Sequence, residues 1–416
     1  MKQISMPTMN EAQAIAEANR CLKCYDAPCS KACPAGIDVP RFVHRIATGD
    51  WIGAAQTIKE GNPLGFVCGQ VCPSATLCQE NCNCGKIGNV IPISALQAYT
   101  MMKAVENDAS WQPEQMEEKA ARVAIIGGGP SGVTAAALLR KSGYQVTLFE
   151  KSDRLGGVPM EEIPNNRLDK QVYMRELEQL LADGVVLKLN TVVDETLAAV
   201  ITKEYDAVYL ACGLGNPRQS IQSDVRNIYT AERFLQKANS DTFDQASLHG
   251  TTYIQGGGNT AIDAAMTAKH LGAERVLLCY RRSQKEMPAW KDERLLAIEA
   301  GVEFLFQTQI TGITEADGIL NGVTLAPVAL GAPDTDGRRK PIVQNERQRI
   351  MEASLLITAT GKDVNALTPA IFKTSEAQCK LFIGGDAANG GETVVRAVAE
   401  GKASAAAIEN YLSGKN

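Results

Sequence analysis

The stretch RVAIIGGGPSGVTAAALLRKSGYQVTLFEK, from Arg122 to Lys151, decides the fold. It runs from an apolar strand pattern through a glycine-rich turn and a helical pattern to a second apolar strand pattern. The same order returns in TTYIQGGGNTAIDAAMTAKHLGAERVLLCYRR, from Thr251 to Arg282. Two such βαβ units predict an α/β protein with two Rossmann-like dinucleotide-binding domains.

The first glycine loop has the form Gly-x-Gly-x-x-Gly. Small residues let the backbone approach a pyrophosphate, and the start of the following helix offers free N–H groups to it. Glu150 ends the second strand, where a carboxylate can bind a ribose hydroxyl. Strand, helix and acid together favour a dinucleotide site over a tight turn in another α/β fold. The predicted contacts here are Gly127, Gly129, Pro130, Ser131, Gly132, Glu150 and Lys151.

The second glycine loop is followed by a strand that ends in two arginines instead of an acid. Arg281 and Arg282 suit the 2′-phosphate of NADP through charge-assisted hydrogen bonds, and solvated surface charges are the alternative. We therefore expect NADP, with NAD left open. The predicted contacts are Gly256, Gly258, Asn259, Thr260, Arg281, Arg282 and Lys285.

The composition is that of a globular protein with several domains. The chain has 416 residues, of which 45% are hydrophobic and 21% charged, with a net charge of −5. A negative net charge disfavours nucleic acid or an anionic membrane as the main partner. No apolar run approaches the roughly 20 residues of a membrane span, and no secretory leader pattern is visible. We predict a cytoplasmic protein.

The cysteines are concentrated in the first part of the chain. Nine of the twelve occur by residue 84, mostly in CLKCYDAPCSKACP (21–34) and NPLGFVCGQVCPSATLCQENC (62–82). Cytosolic thiols stay reduced, so structural disulfides are not expected. Zinc prefers closed sets of four ligands, often with histidine, and only His44 lies near in sequence. The Cys-Pro endings are typical of ferredoxin-type runs and favour iron–sulfur clusters over zinc or free thiols.

The body of the chain resembles the two-dinucleotide-domain flavoprotein reductases. YLACG (209–213) and ITATG (357–361) are similar to that family's crossover strands, and FIGGD (382–386) to its FAD motif. The resemblance implies FAD at the first loop and NAD(P)H at the second. The disulfide reductases of that superfamily have a redox-active Cys pair facing the flavin, whereas the body of this chain has no CxxC, so electrons should leave by another route. The implied additional contacts are Gly157, Val158, Arg167, Gly385, Asp386, Thr393 and Val394 for FAD, and Ala359, Thr360 and Gly361 for NAD(P)H.

The cysteine runs resemble the N-terminal half of dihydropyrimidine dehydrogenase and the related small subunit of glutamate synthase, over essentially the whole chain. The resemblance implies two [4Fe–4S] clusters with interleaved ligands. The implied ligands are Cys21, Cys24, Cys29 and Cys82 for cluster one, and Cys33, Cys72, Cys78 and Gln97 for cluster two. Gln97 departs from all-cysteine ligation, and a polar helix residue facing water is the alternative. Cys68 and Cys84 are left for core packing, or as substitutes for Gln97.

The implied organisation has three functional domains. They are a helical double-cluster domain at 1–120, a discontinuous FAD-binding domain at 121–225 and 360–416, and an inserted NAD(P)H-binding domain at 226–359. No acid–base catalytic residue is expected, because the cofactors carry the chemistry.

The resemblance also implies a function within the glutamate synthase small subunit-like family. An electron-input subunit of the bacterial dihydropyrimidine dehydrogenase type would pass electrons from NADPH or NADH through FAD and the clusters. The acceptor would be an FMN-containing barrel subunit that reduces uracil or thymine, in a heterotetramer of two plus two. The alternatives are a small subunit of glutamate synthase or of an electron-bifurcating transhydrogenase, and a redox-inactive metal-binding scaffold.

Overall fold

A computed structural model describes residues 9–107, 117–218, 221, 224–333, 337–363 and 379–414. Residues 9–107, the head, are built of helices and loops. Side chains that accept from free backbone N–H groups start several of these helices, as Asn10 does with Gln13 in a capping box. The helices are Glu11–Asn19 (α1), Pro28–Lys31 (α2), Val39–Ala47 (α3), Trp51–Gly61 (α4), Gly65–Val71 (α5) and Ile93–Glu106 (α6), with 3₁₀ turns at Ser74–Thr76 and Asn83–Lys86.

The first βαβ unit follows the head. Its elements are Arg122–Ile126 (β1), Pro130–Lys141 (α7), Gln145–Phe149 (β2), Gly157–Glu161 (α8), Lys170–Leu181 (α9), Val186–Lys188 (β3), Glu195–Glu204 (α10) and Ala207–Leu210 (β4). β1 pairs in parallel with both β2 and β4, so the predicted unit is confirmed.

The second βαβ unit and a β-rich insertion come next. They contain Ile228–Thr230 (β5), Ala231–Asn239 (α11), Thr251–Gly256 (β6), Asn259–His270 (α12), Arg275–Tyr280 (β7), Lys291–Glu299 (α13), Val302–Phe306 (β8), Thr308–Ala316 (β9), Ile319–Pro333 (β10), Arg339–Val343 (β11), Arg349–Glu352 (β12) and Leu355–Ala359 (β13). Further 3₁₀ turns lie at Gln245–Leu248, Gln284–Glu286 and Asn345–Arg347. A parallel sheet of order β5-β13-β6-β7-β8 carries the unit, and β9 to β12 form an antiparallel sheet.

The chain then returns to the first sheet. The last elements are Lys380–Ile383 (β14), Asp386–Asn389 (α14) and Val394–Leu412 (α15). β14 pairs with β4, which completes a parallel sheet of order β14-β4-β1-β2-β3. The predicted α/β class, with a helical head and two Rossmann-like folds, is confirmed.

The chain divides into two compact units. One contains residues 1–160, 165–215 and 364–416, and the other contains 161–164 and 216–363. The head and the first dinucleotide fold thus belong to one unit. The boundaries proposed for the three functional domains stay predictions from sequence.

Candidate functional site

Two positions of the first glycine loop can accommodate only glycine. Gly127 has φ +113°, and a Cβ there would lie 2.4 Å from the carbonyl oxygen of Ala211. A Cβ on Gly132 would lie 1.9 Å from the carbonyl oxygen of Gly127. Gly129 is the N-cap of α7 and has no side chain to cap its first N–H groups. The loop therefore leaves these N–H groups for an anion such as a pyrophosphate.

Glu150 lies against this loop at the end of β2. Its two carboxylate oxygens accept from Gly128 N at 2.7 Å and from Ser152 N at 2.8 Å, and the residue is only 9% exposed. These bonds hold the carboxylate in one orientation. A carboxylate oxygen has more than one lone pair, so Glu150 can still accept from a ribose hydroxyl.

Predicted FAD contacts from distant parts of the sequence meet at the same loop. A Cβ on Gly157 would lie 2.9 Å from Gly129 Cα, and a Cβ on Gly385 would lie 2.9 Å from Ser131 Cβ. Both glycines have positive φ, +57° and +64°. The close approach of these segments is therefore the reason that glycine is needed in each.

The other predicted FAD contacts occupy nearby loop and helix starts. Thr393 is the N-cap of α15, where its hydroxyl accepts from Arg396 N. The remaining positions are Lys151 (exposed), Val158 in α8 (exposed), Arg167 (half-buried), Asp386 at the start of α14, and Val394 at the start of α15. Their contacts with FAD stay predictions.

The second glycine loop repeats the first in outline. Gly258 is the N-cap of α12 without a side-chain cap, so the first N–H groups of that helix are also left for an anion. A Cβ on Gly256 would lie 2.4 Å from the carbonyl oxygen of Ala359, which places the predicted 359–361 segment beside the loop. Asn259 Oδ1 accepts from Trp290 N at 3.0 Å, and Thr260 follows it in α12.

Arg281 and Arg282 do not share one environment. Arg282 is 3% exposed, and its Nε donates to the carbonyl oxygen of Arg339 at 2.8 Å. Arg281 and Lys285 are exposed. A guanidinium that is buried and bonded to a backbone carbonyl is less accessible to a bound phosphate than an exposed side chain. The exposed Arg281 and Lys285 are therefore the better placed candidates for the 2′-phosphate, and the contact predicted for Arg282 stays a prediction.

In the head, Cys21, Cys24, Cys29 and Cys82 are electrostatic neighbours. Burial, and to a smaller extent the nearby Cys82 and Cys21, raise the pKa of Cys29 to about 11. The pKa of Cys21 is raised by burial and then by Cys82 and Cys24. Several thiolates in such a place need cations beside them, which the irons of a cluster would provide. The grouping is that of the implied cluster one.

A second set surrounds a cavity in the head. The lining includes all four implied ligands of cluster two, Cys33, Cys72, Cys78 and Gln97. Burial raises the pKa of Cys78 to about 12, with further contributions from Cys33 and then from Cys29. Cys29 belongs to the first set, so the two sets are adjacent. Cys68 adds a fourth thiol to the lining, and a cluster with one non-cysteine ligand would take the other three thiols and the amide.

The alternative that Gln97 faces water is wrong. Gln97 is 7% exposed, and its Nε2 donates to the carbonyl oxygen of Gly65 at 2.7 Å. Among the described residues, no hydrogen bond engages its Oε1. The amide is thus held by its nitrogen end, and the oxygen is available as a ligand.

The two spare cysteines lie beside the two sets. Cys68 is 1% exposed and Cys84 6%, as expected for core packing. Cys68 also lines the cavity and hydrogen-bonds to Cys72, a contact that is the first cause of the raised pKa of Cys72. Over the described ranges, no three His, Cys, Asp or Glu side chains converge as a single metal ion requires. A four-iron cluster instead takes its ligands at separate corners.

Two charged residues that sequence reasoning missed tie the head to the FAD-binding fold. Glu176, in α9, is 2% exposed and accepts from Phe66 N at 2.6 Å and Val67 N at 3.2 Å, at the start of α5. Burial raises its pKa to about 7. Lys402, in α15, donates from Nζ to the carbonyl oxygens of Ala35, at 2.6 Å, and Gly61. Both contacts support backbone next to the cavity.

Family models match successive parts of the chain. Residues 1–109 match the family described as "dihydropyrimidine dehydrogenase domain II, 4Fe-4S cluster". Residues 125–172 match an NAD(P)-binding Rossmann-like domain, and residues 194–401 match the pyridine nucleotide-disulphide oxidoreductase family. Together they show an oxidoreductase that uses NAD(P), FAD and [4Fe–4S] clusters. No helix in the described ranges is both long enough and apolar enough to cross a bilayer.

Curated relatives match nearly end to end. The NAD-dependent dihydropyrimidine dehydrogenase subunit PreT of Escherichia coli is 35% identical, over 98% of this chain and 96% of that protein. The glutamate synthase [NADPH] small chain of Escherichia coli is 32% identical, over 97% and 92%. The FprA oxidoreductase of Mycobacterium tuberculosis shares the fold, with a TM-score of 0.57 at 17% identity over 71% of this chain and 86% of that chain. The chain therefore belongs to the family of iron–sulfur flavoproteins that includes PreT and the glutamate synthase small chain.

Proposed function

We propose that this chain is the electron-input subunit of a dihydropyrimidine dehydrogenase. It takes electrons from NAD(P)H and delivers them to an FMN-containing barrel subunit that reduces uracil or thymine. When bound, FAD would supply the means to take up a hydride and release single electrons, and the clusters would supply one-electron acceptors. The chain's own residues bind these groups, hold them in place and exclude water.

The observation that carries the proposal is the arrangement of donors in the head. Cys33, Cys72, Cys78 and Gln97 line one cavity, and Cys29 of the other set is an electrostatic neighbour of Cys78. We assign this cavity to cluster two, and Cys21, Cys24, Cys29 and Cys82 to cluster one. Two clusters with adjacent ligands can exchange electrons directly, as a relay toward a partner requires.

The two dinucleotide loops supply the input side. Each begins a helix whose N-terminal N–H groups have no side-chain cap, which suits a pyrophosphate. We assign FAD to the loop at Gly127–Gly132, where Glu150 is held beside it, and NAD(P)H to the loop at Gly256–Ala261. Arg281 is exposed and unpaired among the described residues, so it is available to select NADPH.

The second candidate is the small chain of glutamate synthase or of a related electron-transfer complex. The identity to that small chain, 32% over 97% of this chain, is close to the identity to PreT. The two candidates differ in the partner. A co-purifying barrel chain with FMN supports the first, and a partner with a glutamine amidotransferase domain supports the second.

The test uses the purified chain and its partner. Iron, acid-labile sulfide and flavin should be present, and NADPH or NADH should bleach the flavin and cluster absorbance under anaerobic conditions. Co-expression with an FMN barrel chain should yield NAD(P)H-dependent uracil reduction. The mass of the purified complex should fit two copies of each chain, and the complex should be found in the cytoplasmic fraction. Normal turnover of nicotinamide by the barrel chain alone would refute the proposal.

A further inference from the structure

Asn62 is a fully buried polar residue in the wall of the cluster-two cavity. It follows α4, is 0% exposed, and lines the cavity together with Cys33, Cys72 and Gln97. Its backbone N–H donates to the carbonyl oxygen of Ile58 at 2.7 Å, which closes the last turn of the helix. The backbone that carries the Asn62 side chain is therefore held in place.

The orientation of the Asn62 amide follows from its one hydrogen bond. Oδ1 accepts from Leu64 N at 3.0 Å, and only the oxygen can accept from an N–H. The Nδ2 end then has no hydrogen-bond partner among the described residues. Buried polar groups are nearly always paired, so an unpaired donor in a cavity wall indicates a partner that the polypeptide does not supply.

The head contains a second asparagine with a related contact. Asn83 Nδ2 donates to the sulfur of Cys24, an implied ligand of cluster one, at 3.4 Å. Asn83 thus presents an amide nitrogen to the first set of thiols, whereas Asn62 lines the cavity of the second set with an unpaired amide nitrogen. An N–H to sulfur contact of this kind stabilises added negative charge on the sulfur.

We propose that Asn62 Nδ2 donates a hydrogen bond to a sulfur of cluster two and so raises that cluster's reduction potential. The reduced cluster carries one more negative charge, and an N–H donor stabilises it more than the oxidised form. The inference rests on the ligand set proposed for this cavity. Lys402 holds the carbonyl of Gly61, next to Asn62, which keeps the donor in position.

The test is an EPR-monitored redox titration of the purified holoprotein. Asn62→Leu removes the donor and keeps a side chain of similar size. We expect its reduced-to-oxidised ratio for cluster two to fall about tenfold at a given potential, which is about 59 mV for a one-electron couple. Thr57→Val is the matched control, because Thr57 lies in the preceding helix α4, is also buried, donates to Gly53 O, and is not part of the cavity wall. Equal potentials in the two variants would overturn the inference.

A second measurement covers the case in which Asn62→Leu fails to retain its cluster. In the Asn83→Leu protein labelled with ¹⁵N in asparagine side chains, pulsed EPR of reduced cluster two should detect a coupling to Asn62. No coupling would overturn the inference and would leave a water molecule as the partner of Nδ2. Iron and sulfide analysis of the wild-type protein distinguishes a failure of the proposed ligand set from a failure of the inference about Asn62. Missing iron would refute the proposed ligand set itself, whereas intact clusters with unchanged potentials would refute only the role of Asn62.

Discussion

Replacing Lys402 by methionine should loosen the contact between α15 and the head. The Nζ group donates to the carbonyl oxygens of Ala35, at 2.6 Å, and Gly61, and the side chain is half-buried. Each hydrogen bond from a charged donor contributes about 1.5–3 kcal/mol. Methionine offsets part of this loss, because it avoids the cost of burying an ammonium group. We expect the free energy of unfolding to fall by about 2–3 kcal/mol.

Anaerobic thermal unfolding of the holoprotein measures this effect. A loss of that size should lower the melting temperature by roughly 3–5 °C in a unit of this length. Arg396→Met is the matched control on the same helix, because Arg396 is 55% exposed and pairs with Glu392 at 3.3 Å. Such a surface pair contributes about 0–1 kcal/mol. If the two variants melt within about 2 °C of each other, a figure below the range expected for the lost hydrogen bonds, the reasoning about Lys402 is wrong.

Three further predictions concern single side chains. Burial raises the pKa of Glu176 from 4.5 to about 7, so the folded state holds this proton more tightly than the unfolded state. The free energy of unfolding should therefore fall by about 3 kcal/mol, relative to that of Glu176→Gln, as the pH rises from 4.5 to about 7, and it should stay constant at higher pH. Denaturant titrations of both proteins over this pH range measure the effect. Parallel pH curves for the two proteins would contradict it. Arg281→Ala should raise the KM for NADPH about tenfold more than the KM for NADH, whereas Arg282→Ala should lower stability and change the two KM values equally. Steady-state kinetics with each nicotinamide measures both effects. Equal changes of the two KM values in Arg281→Ala would count against a phosphate contact. Cys29→Ala and Cys33→Ala should remove different EPR signals from the reduced protein, although the residues are close in sequence; identical residual spectra would rule out interleaved ligands.

The parts of the site that depend on short spacing could be predicted from sequence. Gly127 and Gly132 have no substitute in their loop, so their pattern reports the backbone path directly. The cysteine runs could be predicted for the same reason, because the short spacing of their cysteines is typical of iron–sulfur cluster ligands. The environment of Arg282 could not be predicted in this way. It depends on the local direction of the chain after β7 and on a carbonyl group that the distant residue Arg339 contributes.

Charged residues on apolar helix faces were the missed signal. Glu176 shares its face of α9 with Val172, Tyr173 and Leu180, all of them buried. A carboxylate in such a stripe indicates a buried partner, and here the partners are the free N–H groups of α5. Lys402 occupies a similar place in α15. Asn62 has no periodic pattern around it, so only the structure could show that its nitrogen is unpaired.

The position of α15 has a consequence for how the protein acquires its second cluster. Val395 lines the cavity that contains Cys33, and Lys402 holds backbone on two sides of it. This helix is translated long after the cysteines, and at 5–20 residues per second the delay is tens of seconds. During that time the cavity lacks part of its wall, and its thiols are open to oxidants. We therefore expect cluster insertion to follow release of α15 from the ribosome, so that the cell's iron–sulfur carriers act on a nearly folded chain.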